Sequence, residues 1–231
     1  MAKTIGLIQV KGGAGRSTIA TNLAGALSKQ GKTILIDCDL PQGTSASWFA
    51  IRQQQGKAGE LDIATADGAE ALVTQVQAVE GKHDFLVIDC PPRIEGTTRA
   101  ALILADICLV PIGASAAEIW ATSDVLQIIG AAKQVKPSVD ARLIWNRYRS
   151  ATSSAQELSA AVKQQIGLPE MKTKLGMRVA FSDAYAQGLT VAEWSDKAAR
   201  EELAELVNEM NKILGRRSEE HTSALQSRFG I

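Results

Sequence analysis

An α/β fold with a mostly parallel sheet flanked by helices is what this sequence predicts, on three observations. Short apolar runs alternate with amphipathic segments from Thr4 to Ile166, the pattern of strands joined by right-handed helical crossovers. The apolar runs carry few charges, as expected of strands covered on both faces. A glycine-rich loop follows the first run, and ligands of such sheets bind at the carboxyl ends of the strands.

Strands are expected at Thr4–Val10, Thr33–Cys38, Leu61–Thr65, Phe85–Asp89, Ile107–Pro111 and Ala141–Trp145. Helices are expected between them at Ser17–Lys29, Gly68–Val79, Thr97–Leu104, Ala116–Lys133 and Ser154–Ile166. In the first helix Ile19, Leu23 and Leu27 recur every four residues on one face, Ser17 offers an N-cap and Gly31 a stop. The last helix, Ser195 to Leu214, carries Asp196, Glu201, Glu202, Glu205 and Glu209. That acidic face is the opposite of a basic amphipathic membrane anchor. From Arg216 the character changes abruptly, so residues 215–231 read as a non-native or disordered tail behind one domain, 1–214.

A chain of 231 residues buries on the order of 70% of its unfolded surface as one domain and needs no disulfide or structural metal. Twenty-five basic residues balance 25 acidic ones, which removes any whole-molecule charge argument for nucleic acid. Cys38, Cys90 and Cys108 show no metal-ligand spacing and sit in apolar runs, as buried reduced thiols of a cytoplasmic protein do. Neither a secretion signal nor an apolar stretch long enough for a membrane span is present in the sequence.

Lys11-Gly12-Gly13-Ala14-Gly15-Arg16-Ser17-Thr18 joins a strand to a helix N-terminus, aiming several backbone N–H groups at one point, which suits a phosphate. It departs from the usual phosphate loop in two ways. Val10 stands where the first Gly belongs and Arg16 where the Lys belongs, while Lys11 supplies an extra cation. Carboxylates fall at the ends of later strands: Asp37 and Asp39 close the second, and Asp89 closes Phe85-Leu86-Val87-Ile88. A phosphate-bound Mg²⁺ needs one hydroxyl and one or two carboxylates, roles that Ser17 and Asp89 fit.

These residues resemble the deviant Walker A ATPases of the ParA/MinD class, specifically the short ParA-type partition ATPases without an N-terminal helix-turn-helix domain. The resemblance rests on the loop with Lys11, on Asp37-Cys38-Asp39 followed by Pro41-Gln42-Gly43, and on Asp89-Cys90-Pro91-Pro92. Ala105-Asp106 leading to Val110-Pro111, Asn146-Arg147, and Gly188-Leu189-Thr190-Val191 complete it. It implies a three-layer P-loop NTPase fold, ATP and Mg²⁺ as cofactors, and a homodimer closed across ATP. Lys11 would reach the partner's phosphates and Asp39 would orient the attacking water. Asp37, Asp89 and Ser17 would support Mg²⁺. Residues 11–18 would cradle the phosphates, with Arg16 able to hold two oxygens, and Asn146-Arg147 would meet the adenine end.

Arg16 keeps the positive charge of the family's Lys but not its compact shape, so slow, partner-stimulated hydrolysis is expected. Leu40 lengthens the segment between Asp39 and Pro41 by one residue relative to the family. Arg149, Lys163, Lys172, Lys174 and Arg178 gather in the later third and are candidates for binding DNA backbones without reading bases. The resulting reading is a nucleoid-associated ATPase that positions plasmid, chromosome or other cargo with a ParB-like or cargo-adaptor protein, without a membrane. The alternative is a nucleotide-dependent regulatory or scaffold switch with negligible hydrolysis. An electron-transfer ATPase would need a cysteine-held cluster, for which Cys90 and Cys108, in or beside strand cores, are poorly placed.

Overall fold

The computed structural model describes residues 2–40, 42–92, 95–113, 115, 122–149 and 166–229, with side chains described to residue 215. The strands are β1 (Lys3–Leu7), β2 (Thr33–Asp37), β3 (Leu61–Thr65), β4 (Phe85–Asp89), β5 (Ile107–Ile112) and β6 (Ala141–Trp145). The helices are α1 (Arg16–Leu27), α2 (Thr44–Gln54), α3 (Gly68–Val79), α4 (Glu95–Leu104), α5 (Thr122–Val135), α6 (Val179–Ala186) and α7 (Lys197–Phe229), with a 3-10 turn at Val191–Glu193 before α7. The six strands form one sheet in the order β3-β2-β4-β1-β5-β6, and every pairing is parallel.

Side chains alternate across this sheet and divide the core in two. Ile5, Leu7, Leu35, Phe85, Val87, Ile107 and Leu109 point to the layer holding α1, α2, α6 and α7. Ile34, Ile36, Leu86, Ile88, Cys108, Val110 and Ile112 point to the layer with α3, α4 and α5. This is the period-two pattern of a sheet buried on both faces. The edge strand β3 departs from it: Asp62 and Thr65 are exposed, so the expectation of full cover fails at that edge.

Three corrections to the expected elements bear on the site. β1 ends at Leu7, not Val10, because the Gln9 carbonyl is taken by Arg16 instead of a neighbouring strand. Helix α1 starts at Arg16 with Gly15 as N-cap, in the left-handed region at φ 93°, and without a side-chain cap. Ser17 therefore lies inside the first turn and does not cap it. Helix α2 falls where no element is expected from the sequence, and it buries Ser45, Trp48, Phe49 and Arg52.

α7 carries its backbone helix through to Phe229, past the Leu214 at which the last helix is expected to end. The helix expected at Ser154–Ile166 lies outside the described residues except for its last position, and α5 is described from Thr122. Cys38, Cys90 and Cys108 are buried thiols outside any disulfide. Among the described residues, no helix is long and apolar enough to cross a membrane.

Candidate functional site

The carboxyl ends of β1, β2 and β4 lie side by side, with Asp37 directly opposite Asp89 in the register and Leu7 opposite Asp89 on the other side. The glycine loop that follows β1 therefore rises beside Asp89, with Asp37 one strand further along the same side of the sheet; Asp37 is fully buried and Asp89 1% exposed. Because no side chain caps α1, its first amides are not consumed by the protein's own cap, the condition under which a helix N-terminus receives an anion.

Asp89 Oδ2 accepts a hydrogen bond from the Ser45 hydroxyl at 2.7 Å, and the Ser17 hydroxyl stands close enough to lower the pKa of the same carboxyl. Its Oδ1 is buried and has no partner among the described residues. Burial pushes the Asp89 pKa up to about 6, with the Ser45 and Ser17 hydrogen bonds opposing, Asp37 adding to the rise and Arg16 opposing it. An orphaned carboxylate oxygen beside a loop serine suits the outer shell of a hydrated Mg²⁺, whose waters would donate to it. Among the described residues no group of three or more His, Cys, Asp or Glu could hold a metal ion, so a cation here needs phosphate oxygens as further ligands.

Asp37 is committed to the backbone. Its Oδ1 accepts from the Asp39 N–H and its Oδ2 from the Ala46 N–H, both at 2.9 Å. It thereby fixes the start of α2 and the turn that carries Asp39, where the Asp39 carbonyl accepts from Gln42 and Gly43 N–H. Asp39 is half-buried, and desolvation raises its pKa, with Arg16 opposing and Asp37 adding to the rise. The inserted Leu40 is 38% exposed, so the extra residue is accommodated outward.

Arg16 commits two of its three guanidinium nitrogens to backbone carbonyls. Its Nε donates to the Cys90 carbonyl at 2.8 Å, and its Nη1 donates to the Gln9 and Lys11 carbonyls at 2.5 and 2.7 Å. Asn146, expected at the adenine end, meets the loop's backbone: its Nδ2 donates to the Ala14 carbonyl at 2.9 Å and its Oδ1 accepts from the Arg147 N–H. Beyond it opens a cleft of about 780 Å³ lined by Thr18, Asn146, Arg147, Tyr148, Met177 and Phe181 among others, large enough for a nucleoside.

Of the DNA candidates, Arg178 gives Nε and Nη2 to Glu202. The Lys174 ammonium stands 4.2 Å from the Tyr148 ring centroid. Arg149, with Arg178, lines the 780 Å³ cleft, and Lys172 lines a separate groove that also holds Arg142, Lys212, Glu205 and Glu209. Lys163 lies outside the described residues.

A clasp that no motif announced holds the site's floor. Arg52, fully buried, donates to Glu193 at 2.7 and 3.2 Å and to the Gly188 carbonyl. The Trp48 indole donates to the Leu189 carbonyl, the Val191 N–H to Asn22 Oδ1, and the Tyr185 hydroxyl to the Thr44 carbonyl at 2.6 Å. Thus Gly188–Val191 is bound to α1 and α2, next to Ser45. In the sequence it is traced by Gly188-Leu189-Thr190-Val191 itself and by the Trp at position 48 and the Arg at 52, one helical turn apart.

A parallel sheet with an uncapped glycine loop beside buried strand-end carboxylates defines a nucleotide-binding P-loop protein of the ParA/MinD fold. The chain belongs to the MipZ ATPase family, whose family model, ATPase MipZ, matches residues 3–183. It is 26% identical over 212 residues to maintenance of carboxysome distribution protein A of Halothiobacillus neapolitanus, covering 90% of this chain and 96% of that protein. It is 28% identical over 223 residues to the chromosome-partitioning ATPase Soj of Thermus thermophilus, covering 83% and 88%. Among solved structures it resembles apo McdA of Cyanthece, with a TM-score of 0.75 at 19% identity over 91% of this chain and 99% of that one. The septum site-determining protein MinD of Pyrococcus horikoshii, complexed with Mg-ADP, gives 0.70 at 18% identity over 93% and 98%.

Proposed function

We propose that this chain is an ATP-hydrolysing positioning protein that binds ATP with Mg²⁺, dimerises across the nucleotide and distributes a cargo over DNA. The convergence of the uncapped loop, the orphaned Asp89 oxygen and Ser17 at one point beside a nucleoside-sized cleft carries the reading. Relatives named for carboxysome distribution and chromosome partitioning support cargo positioning as the use of that chemistry.

Residues 11–18 hold the phosphates, with the loop amides supplying donors and Lys11 a cation directed at a partner's nucleotide. Mg²⁺, when bound, neutralises developing phosphate charge; Ser17 and Asp89 hold it, and Asp37 supports it by fixing the turn beside it. Asp39, raised in pKa by desolvation, orients the attacking water. Asn146 keeps the loop against the cleft and, with Arg147, borders the base.

DNA contact falls to the exposed Arg147, Arg149 and Lys172, with Lys163 a further candidate, and is doubled on dimerisation. The membership of Arg149 in the nucleotide cleft supports a link between nucleotide state and DNA affinity. A ParB-like or cargo-adaptor protein would stimulate the slow basal turnover. The competing reading, a scaffold switch without hydrolysis, draws on the engaged Arg16.

The test is retention on non-specific DNA with ATP and with ADP across a salt series, alongside phosphate release. ATP-dependent, salt-sensitive retention with measurable turnover supports the positioning ATPase. Equal retention with both nucleotides, or none, overturns the DNA-based mechanism, and retention without turnover favours the scaffold.

A further inference from the structure

The side chain at the usual lysine position of the phosphate loop is 7% exposed and faces inward. Its three recorded donations go to backbone carbonyls on two segments. One is Gln9 to Lys11, the chain that enters the loop and bears Lys11. The other is Cys90, one residue past Asp89. Both must keep a fixed separation if the loop amides and Asp89 are to meet the same phosphate group.

We infer that Arg16 is a positioning residue that preforms the phosphate loop, and that it does not serve as the loop's phosphate ligand. The inference rests on the proposed nucleotide binding. Arginine suits this part by shape. Its Nε lies three bonds beyond Cβ and meets Cys90, while Nη1, further out, reaches two more carbonyls at once. Lysine has a single donor nitrogen, and that atom cannot occupy both places.

Turning Nε and Nη1 outward to a phosphate would strip two buried carbonyls and one part-buried carbonyl of this donor and loosen the link between the two segments. The charge stays in place below the loop, where it faces Asp89, Cys90 and Asp39. It thus adds positive potential to the site without direct contact. The direct contacts to the nucleotide's oxygens fall to the loop amides and Lys11.

The test follows the Arg16 Nε–Hε resonance by NMR in the wild-type chain, without nucleotide and after adding Mg-ADP or Mg-ATP. The expected result is a signal protected from water exchange in the free protein that keeps its shift and protection while the amides of Gly12–Thr18 move. An Nε signal that is unprotected before nucleotide, or that shifts with it to a phosphate contact, overturns the inference and leaves nucleotide binding standing. A titration in which no loop amide moves removes the nucleotide reading and the inference with it.

Two substitutions add a readout that a simple loss of stability does not imitate. Arg16→Gln places a neutral donor nitrogen at the chain position of Nε, whereas Arg16→Lys keeps the charge and loses the fork. A positioning role predicts that both weaken Mg-ADP and Mg-ATP alike, by about tenfold, with the ratio of the two affinities kept. Wild-type affinity in Arg16→Lys together with a loss of about 100-fold in Arg16→Gln identifies a phosphate ligand and overturns the inference. If neither variant folds, the wild-type resonance still decides.

Discussion

The side-chain amide of Asn146 donates to the Ala14 carbonyl at 2.9 Å, and the same amide nitrogen occupies the space that a Cβ on Gly15 would need. Gly15 also has φ 93°, so two independent constraints keep this position glycine. One is local backbone strain. The other is the approach of β6 to the loop.

Gly15→Ala is therefore expected to destabilise the chain by about 1–2 kcal/mol through the left-handed backbone alone, with a further loss from displacing Asn146. Adding Asn146→Ala should recover only the second part and should not restore nucleotide affinity, since the loop's last amides remain misdirected. Urea unfolding and ADP titration of the two variants measure both. A Gly15→Ala chain with wild-type unfolding and binding would show that neither constraint operates.

Asp89 gives a pH dependence whose sign is fixed by burial. Its pKa rises from 3.8 to about 6 in the folded chain, so the folded state holds more protons than the unfolded one between those values. Its contribution to stability consequently falls as pH rises from about 4 to 6 and stays unfavourable above that. Asp89→Asn should flatten this part of the profile and raise the nucleotide-free melting temperature at pH 8. The same variant should lose the stabilisation that Mg-ADP gives the wild type. Asp39 shifts in the same direction and Glu193 in the opposite one, so the difference between wild type and Asp89→Asn is the quantity to follow. A wild-type profile with no fall in that window relative to the variant rejects the assignment.

Much of the sheet was legible because its strands are short apolar runs ended by polar residues: β3, β4 and β6 begin and end where hydrophobicity does. The loop was legible because glycines and a strand-to-helix transition leave a local signature. Two things were not. Helix α2 follows Pro41-Gln42-Gly43, which reads as loop, and its helical face is apparent only against the partners that cover Trp48 and Arg52. Arg16 matched a cation position in the motif, but its direction depends on a carbonyl 74 residues away, which no local pattern encodes. The basic residues of the later third suffered the same limit, since Glu202 lies in another helix from Arg178.

Arg52 and Glu193 hold the Gly188–Val191 segment against α2, with Arg52 1% and Glu193 21% exposed at the side chain. Removing the carboxylate leaves a buried guanidinium with the Gly188 carbonyl as its recorded partner. Glu193→Gln should cost about 3 kcal/mol, the low end for breaking a buried pair because Glu193 is partly wet. The capping box that Glu193 makes with Thr190 also weakens. A urea midpoint shift at constant slope checks this, and a shift equivalent to less than about 0.5 kcal/mol, the scale of an ordinary surface change, argues against the clasp.

Lys11 separates binding from assembly. Its carbonyl is held by Arg16, so substituting the side chain leaves the backbone anchor, and Lys11→Gln is expected to keep the loop's shape. Nucleotide affinity of the single chain should then fall by less than about tenfold, because the amides remain. Turnover should fall by about 100-fold or more, the scale of losing one donor to developing charge, and the ATP-dependent dimer should disappear from light scattering. The two effects have one cause, a cation offered across the interface. If Lys11→Gln dimerises with ATP as the wild type does, the lysine acts within its own chain, and the enclosure of the nucleotide must be completed by other residues.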